Sequence, residues 1–411
     1  MMQPGFARGC ASGAGLATAC ALVLAFLAWR QLPAQPGQTG GSWGSNGISE
    51  SSSGALFRAV KVRSYQGPRR FADWRPRPDA KKGAPSKECR QWAVVTSIFP
   101  PTQTVRQLAA LPSWCVVVAG DKKGPVEYNL SGEALPFESK AELRWNHFGR
   151  KNLGFLYAIQ HGARWVYDTD DDNELLFPGP RAIPIPPPDA LADEAHLPWR
   201  TWPRGFPLES IKDNATTRAW PSRRIGVFQS LANHDPDGSM MPYNAQATLH
   251  AQRALWSLLL PCSVHGRVTD IWRAYFAQRL LWDVGLRLAF SPPWVVQFRN
   301  AHNYLADFNS EVPLYQQAGA LVGALLRWQP AARTLPGRFE ELYVHMYELG
   351  IVGLSDVRLA QAWLADLDRI GYPFPPILDR PPRAVKPARS GGVRERHGER
   401  RAATSGAGQA T

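Results

Sequence analysis

Cysteine is scarce, with five in 411 residues, and two of these (Cys10 and Cys20) fall inside an apolar run. The other three, Cys89, Cys115 and Cys262, lack metal-ligand spacing, which argues against a cysteine-built metal site. Their odd number allows one disulfide, and Cys89 and Cys115, both at the starts of expected strands, are the natural pair. Internal repeats are missing, and so is any recognisable nucleic-acid-binding motif. That second absence matters because the net charge is +13. Residues 58–90 hold 11 Lys/Arg against 3 Asp/Glu, and residues 379–411 hold 8 against 3. Between them, residues 91–378 count 26 basic and 27 acidic side chains. The basicity therefore belongs to Pro-, Gly- and Arg-rich flanks that lack the apolar content to fold, not to a nucleic-acid-binding face.

Long apolar runs are equally rare. One stands out: Gly9 to Trp29, 21 residues without a charge, bounded by Arg8 and Arg30. That length suffices to cross a bilayer core as a helix. A cleaved signal peptide ending near Ala34 is the alternative, but the run is longer than a usual signal core and rich in Gly and Ala, which favours an uncleaved signal-anchor. Either reading sends the remainder into the secretory lumen. Asn129-Leu130-Ser131 and Asn214-Ala215-Thr216 are glycosylation sequons in keeping with that destination. The expected organisation is a short cytosolic tail (1–8), a transmembrane anchor (9–29), a disordered basic stem (30–90), a folded domain (91–378) and a disordered basic tail (379–411).

Within the domain, apolar β-branched runs alternate with helical patterns. "QWAVVTSIF" (91–99) and "WCVVVAGD" (114–121) suit buried strands, with a short helix in "TVRQLAAL" between them. "GRKNLGFLYAIQHGARWVYDTDDDN" (149–173) is a helix capped by Gly162 and followed by a strand. "RIGVFQSLAN" (224–233) is another expected strand, whereas "MPYNAQATLHAQRALWSLLLP" should contain a helix and Val268 to Phe290 a longer one. Further helices are expected at 312–328, 336–349 and 355–371. Such alternation specifies an α/β fold, a mostly parallel sheet flanked by helices with a C-terminal helical portion.

The chemistry concentrates in "YDTDDDN", where Asp168, Asp170, Asp171 and Asp172 crowd the carboxyl end of a strand. Ligands of open α/β sheets bind at that edge. Clustered carboxylates repel unless water or a cation separates them. A calcium loop starting at Asp168 fails, because its sixth position is Asn173 rather than Gly and its twelfth is Gly179 rather than Glu. Asp-x-Asp suits instead a hard cation, Mn²⁺ or Mg²⁺, that shares its coordination with a nucleotide diphosphate. On this reading Asp170 and Asp172 hold the metal. Arg150 and Lys151, at the first turn of the preceding helix, serve with Asn152 and Asp168 on the nucleotide-sugar side. A solvated acidic loop beside a surface basic pair is the plainer alternative.

The blocks "WAVVTSIFPP", "LPSWCVVVAGDKK", "GRKNLGFLYAIQHGA", "YDTDDDN", "IGVFQSLANHDPD", "MPYNAQATLH", "VHGRVTDIWRAYFAQRLLWDVG" and "QFRNAHNYLADFNSE" resemble the STELLO-type family of probable glycosyltransferases over roughly residues 91–370. The resemblance implies a single-pass type II Golgi membrane protein whose lumenal GT-A-like domain takes a nucleotide-sugar donor and a glycan or glycoprotein acceptor. It also implies polysaccharide synthase subunits as partners, since plant members are associated with cellulose synthase assembly. GT-A-like enzymes often complete the metal shell with a late histidine, which here is His302, a structural histidine being the alternative. Asp270 is the candidate base for the acceptor hydroxyl, or else the N-cap of a helix starting at Ile271. The chain departs from the family pattern between "NHDPD" and "PYNAQAT", where a longer segment is expected. That departure keeps a second function open, a non-catalytic relative acting as an assembly factor.

Overall fold

The computed structural model describes residues 59–76, 89–125, 135–179, 182, 183, 185, 240, 242–286, 288, 294–298 and 303–378. The expected anchor 9–29, both sequons (Asn129 and Asn214), the strand 224–233, His302 and the tail 379–411 lie outside the described residues. Among those described, no helix is long and apolar enough to cross a membrane.

A four-stranded sheet organises the domain, in the order β2-β1-β3-β5. Strands β1 (Gln91–Thr96), β2 (Trp114–Ala119) and β3 (Trp165–Asp170) run parallel, while β5 (Ala247–Ala251) joins β3 antiparallel. Burial of β1 at both alternating sets of side chains explains its unbroken apolar run. Trp92 and Val94 face one core, together with Val117 and Val166. Ala93 and Val95 face the other, together with Tyr167 and Leu249. The first core continues into helix α2 (Lys151–Gln160) and the C-terminal helices. The second is closed by α1 (Gln103–Ala109) and by a two-stranded ribbon of β4 (Asn173–Leu175) and β6 (Val295–Gln297). A disulfide joins Cys89, just before β1, to Cys115 in β2.

Helix α2 lies so close to the sheet that a Cβ on Gly154 would come within 2.8 Å of Val94 Cγ1. Gly162, at φ 84°, ends it as expected: its N–H reaches Ile159 O and the next N–H reaches Ala158 O. The helix expected in "MPYNAQATLHAQRALWSLLLP" is instead strand β5 followed by a 3₁₀ segment, Gln252–Leu258. Pairing with β3 supplies what local propensity does not. The helix expected over 268–290 is α3, Gly266–Leu281, stopped by a 3₁₀ turn and by Gly285 at φ 69°.

Helices α4 (Tyr304–Arg327), α5 (Leu335–Glu348) and α6 (Leu354–Arg369) complete the helical portion. Helix α4 begins eight residues before its expected start at 312, running through Pro313, because the Asn303 side chain caps it by accepting from Leu305 N and Ala306 N. Residues 59–76 fall within the expected disordered stem, yet they lie along α5 and α6. Phe71 is buried, and the Arg70 and Phe71 N–H groups donate to the Glu340 carboxylate at 2.6 and 2.9 Å. Lys61 pairs with Glu348. Composition misled here because these contacts use backbone donors, which any residue type carries.

Candidate functional site

Register builds the site. Thr96 pairs with Ala119 on one side and with Asp170 on the other, so the three parallel strands end level. The residues that follow, including Ser97, Asp121 and Asp171, line a cleft of about 350 Å³ along this carboxyl edge. His147, Phe148 and Arg150, which lead into α2, form a basic wall together with Lys123. Asp170, Asp171 and Asp172 form the acidic wall.

Both walls are braced. Asp171 accepts from the Ser97 hydroxyl, while its backbone carbonyl accepts from Thr102, the N-cap of α1. Asp172 accepts from Asn173 at 3.1 Å and from Gln297 on β6 at 3.0 Å. On the basic wall the Arg150 guanidinium lies 3.6 Å from the centre of the Trp145 ring, and Lys122 sits 4.8 Å from the same ring. Such stacking fixes a planar cation, whose Nε also donates to Gly120 O at 3.4 Å and stands 4.0 Å from Asp121. Asn146, between Trp145 and His147, takes φ 54°, a left-handed turn that asparagine tolerates better than most residues. His147 Nδ1 then accepts from Gly149 N, and its Nε2 donates to Val264 O.

The expected site residues separate into two groups. Asp170, Asp172 and Arg150 reach the cleft. Asp168, Lys151 and Asn152 lie beneath it, fully buried. Strand β3 extends past "WVY" to Asp170, so Asp168 is a strand residue facing inward. Its carboxylate is bracketed by Lys151 Nζ at 2.7 Å and by the Arg273 guanidinium at 2.6 Å. Lys151 Nζ also reaches Asp170 Oδ1 at 3.4 Å and donates to Thr169 O and Ala245 O. Asn152 spends both ends of its amide on the backbone of Leu260. Asp270 is buried within α3, whose N-cap is His265 rather than Asp270, and its Oδ2 accepts from Ala245 N at 3.2 Å.

Burial pushes the Asp170 carboxyl up to about 7; Lys151 opposes that shift, while Asp172, Asp168 and Asp270 reinforce it. Burial likewise drives His250 on β5 well below its usual range, assisted by Arg273 and Lys151. Among the described residues no three His, Cys, Asp or Glu side chains converge as a ready-made metal cage. The acidic wall nonetheless fits a hard cation that takes only one or two protein carboxylates, because a second positive charge is what Asp170 lacks. Sequence reasoning passed over Arg273, Gln297 and Trp145. Arg273 had a signal: a charged residue amid the aromatics of "DIWRAYF", where only a paired cation can be buried.

This is an α/β domain with a mixed-charge cleft at the carboxyl edge of its parallel strands. Residues 267–396 match the family model described as STELLO glycosyltransferases. Two curated relatives from Arabidopsis thaliana, each described as a probable glycosyltransferase, match across more of the chain. STELLO2 is 29% identical over 359 residues, covering 71% of this chain and 47% of the relative. STELLO1 is 28% identical over 372 residues, covering 74% and 48%. The chain is similar to these probable glycosyltransferases and spans about half the length of the two curated proteins it matches.

Proposed function

We propose that this domain transfers a sugar from a nucleotide-sugar donor to a glycan or glycoprotein acceptor, with Mn²⁺ or Mg²⁺ held by Asp170 and Asp172. The observation that carries the reading is one cleft lined both by an acidic wall at the end of β3 and by a stacked, buried arginine. The cation, when bound, takes up charge developing on the leaving diphosphate. The chain's own residues do the rest. Arg150, pinned over Trp145, presents a fixed guanidinium to phosphate oxygens, and Lys123 adds a mobile charge. Ser97 and Gln297 hold the neighbouring carboxylates at the rim, which limits the reorganisation that binding requires. Asp270, held by the Ala245 N–H, acts through its charge on Asp170 rather than by contact with an acceptor.

A GT-A-like assignment, a lumenal Golgi location and a type II anchor at 9–29 belong to the same proposal. They rest on the apolar run, the sequons and the family resemblance. A non-catalytic assembly role is the second reading. It is favoured by the engagement of Asp168, Lys151 and Asn152 in internal bonds. Calorimetric titration with UDP and other nucleoside diphosphates, with and without Mn²⁺, separates the two. Transfer chemistry requires that metal and nucleotide reinforce each other's binding and that Asp170→Asn abolish the coupling. Equal nucleotide affinity in all four conditions would remove the catalytic reading.

A further inference from the structure

The backbone that carries the basic wall leans on a distant segment, residues 260–264, which is itself held from α2, α3 and α6. Asn152 on α2 accepts from Leu260 N and donates to Leu260 O, both at 2.9 Å. Thr269 on α3 donates to Pro261 O. Asp356 on α6 accepts from Cys262 N at 2.6 Å and from Ser263 N at 3.1 Å. The wall meets this post through His147, whose Nε2 donates to Val264 O at 2.9 Å, and through Gly149. Gly149 lies so close to Cys262 that a Cβ added to it would overlap the Cys262 Sγ. Its φ is not left-handed, so the close approach rather than a turn accounts for the glycine. The Cys262 thiol is itself held, donating to Leu260 O at 3.5 Å. Burial, with the Asp356 charge alongside, pushes its pKa well up, so it stays protonated and unreactive.

We propose that Cys262 is a positioning residue: its side chain sets where Gly149 stops, and thereby where the next residue, Arg150, presents its guanidinium to the cleft. Cys262 does not line the cleft, whereas Arg150 does. Trp145, Gly120 O and Asp121 fix the end of the Arg150 side chain, and the post fixes where its backbone starts. Both are needed, because a guanidinium displaced by the width of a methyl group no longer sits over the ring or meets phosphate oxygens in line. The functional consequence rests on the diphosphate reading of the cleft, but the positioning itself can be read without any ligand.

The first arm is ligand-free nuclear magnetic resonance of the arginine Nε–H groups. The Trp145 ring shifts the Arg150 signal, which Arg150→Lys identifies by its disappearance. Gly149→Ala is expected to return that signal to the ordinary arginine position. Adding Cys262→Ala should bring the shift back, because the new Cβ then meets Cys262 Cβ at 3.6 Å and His147 Nδ1 at 3.1 Å, with the thiol gone. An unmoved signal in Gly149→Ala, or one that Cys262→Ala fails to restore, would overturn the proposal. Should Gly149→Ala not be recovered as folded protein, the double variant decides alone: folded with the shifted signal supports the proposal, unfolded overturns it. The second arm titrates UDP in Mn²⁺ by calorimetry. Gly149→Ala and Arg150→Ala are each expected to weaken binding about tenfold, the scale of one charge-assisted hydrogen bond. In the Arg150→Ala background, Gly149→Ala should cost nothing further. Additive losses would mean general damage to the cleft and would overturn the proposal. If UDP binds Arg150→Ala as well as the unmodified chain while the resonance pattern holds, the positioning stands and the diphosphate reading falls.

Discussion

Two regions of the molecule bury carboxylates, and they satisfy them by opposite means. In the helical portion three buried acids collect backbone N–H groups from a distant segment, whereas Asp283 and Glu311 pair with arginines. Glu340 takes those of Arg70 and Phe71, Asp356 those of Cys262 and Ser263, and Asp366 those of Glu138 and Ser139. At the edge of the sheet, Asp168 is met by side-chain cations, while Asp170 shares one ammonium and faces two further aspartates. Backbone donors arrive in fixed positions, so these three acids act as staples for loops, although burial still raises the Asp356 and Asp366 carboxyls. Side-chain cations and crowded carboxylates leave a residual imbalance that an incoming charge can relieve. Burial of an acid alone does not mark a functional site; its partners and the cleft it lines count together.

The largest effect is expected from breaking a staple. Glu340→Ala should cost about 3 kcal/mol, because it strands buried backbone donors together with the Gln361 amide. Chemical denaturation measures the loss, and limited trypsin digestion should open the chain at Arg69 and Arg70. Truncation gives a comparable contrast. Removing residues 1–58 should leave the melting temperature unchanged, whereas continuing through residue 76 should lower it by roughly 5 °C or more, since Phe71 and its neighbouring donors go with it. Equal melting temperatures for the two truncations would return 59–76 to the status of a passive stem.

The sheet edge should answer to pH instead. A free aspartate titrates near 3.9, whereas Asp170 in the folded chain holds its proton to about 7. Between those values the native state binds more protons than the unfolded state, so stability in chelator should fall as pH rises through this window and level off above it. Asp170→Asn should flatten that slope, by roughly 2 kcal/mol across the window after allowance for solvent at the cleft. The smallest change is expected from Ser97→Ala. It removes one hydroxyl donor to Asp171 and should cost about 1 kcal/mol or less in stability, read as a shift in denaturation midpoint.

Much of the domain was legible in its pattern of apolar residues. Strands β1 and β2, helices α1 and α2 and the cap at Gly162 follow from runs and punctuation that act within a few residues. The Cys89–Cys115 pairing followed from both cysteines standing at strand starts. Strand β5 was not legible, because "ATLHA" carries no alternation when both its faces are buried and its pairing partner lies some eighty residues earlier. The early start of α4 was hidden for a local reason: Pro313 reads as a boundary, while the cap that extends the helix is a single asparagine.

At the site, residue types pointed to the right stretch of chain, but only the fold sorted them. Sequence alone determined that four aspartates follow an apolar strand, that a basic pair precedes the helix before it, and that the charge excess lies in the flanks. Tertiary structure decided that the strand runs on to Asp170, so that Asp168 faces inward and Asp170 reaches the cleft. It also decided that adjacent Arg150 and Lys151 part company, one stacked on Trp145 at the rim and the other buried beneath the aspartates. The physical reasons are that Arg150 and Lys151, as neighbours at a helix start, leave the backbone in different directions, while Asp168 and Asp170 share one strand face and differ in how far they stand from its end and in what packs over them. Here that cover comes from Arg273 on α3 and Gln297 on β6, more than one hundred residues further along the chain.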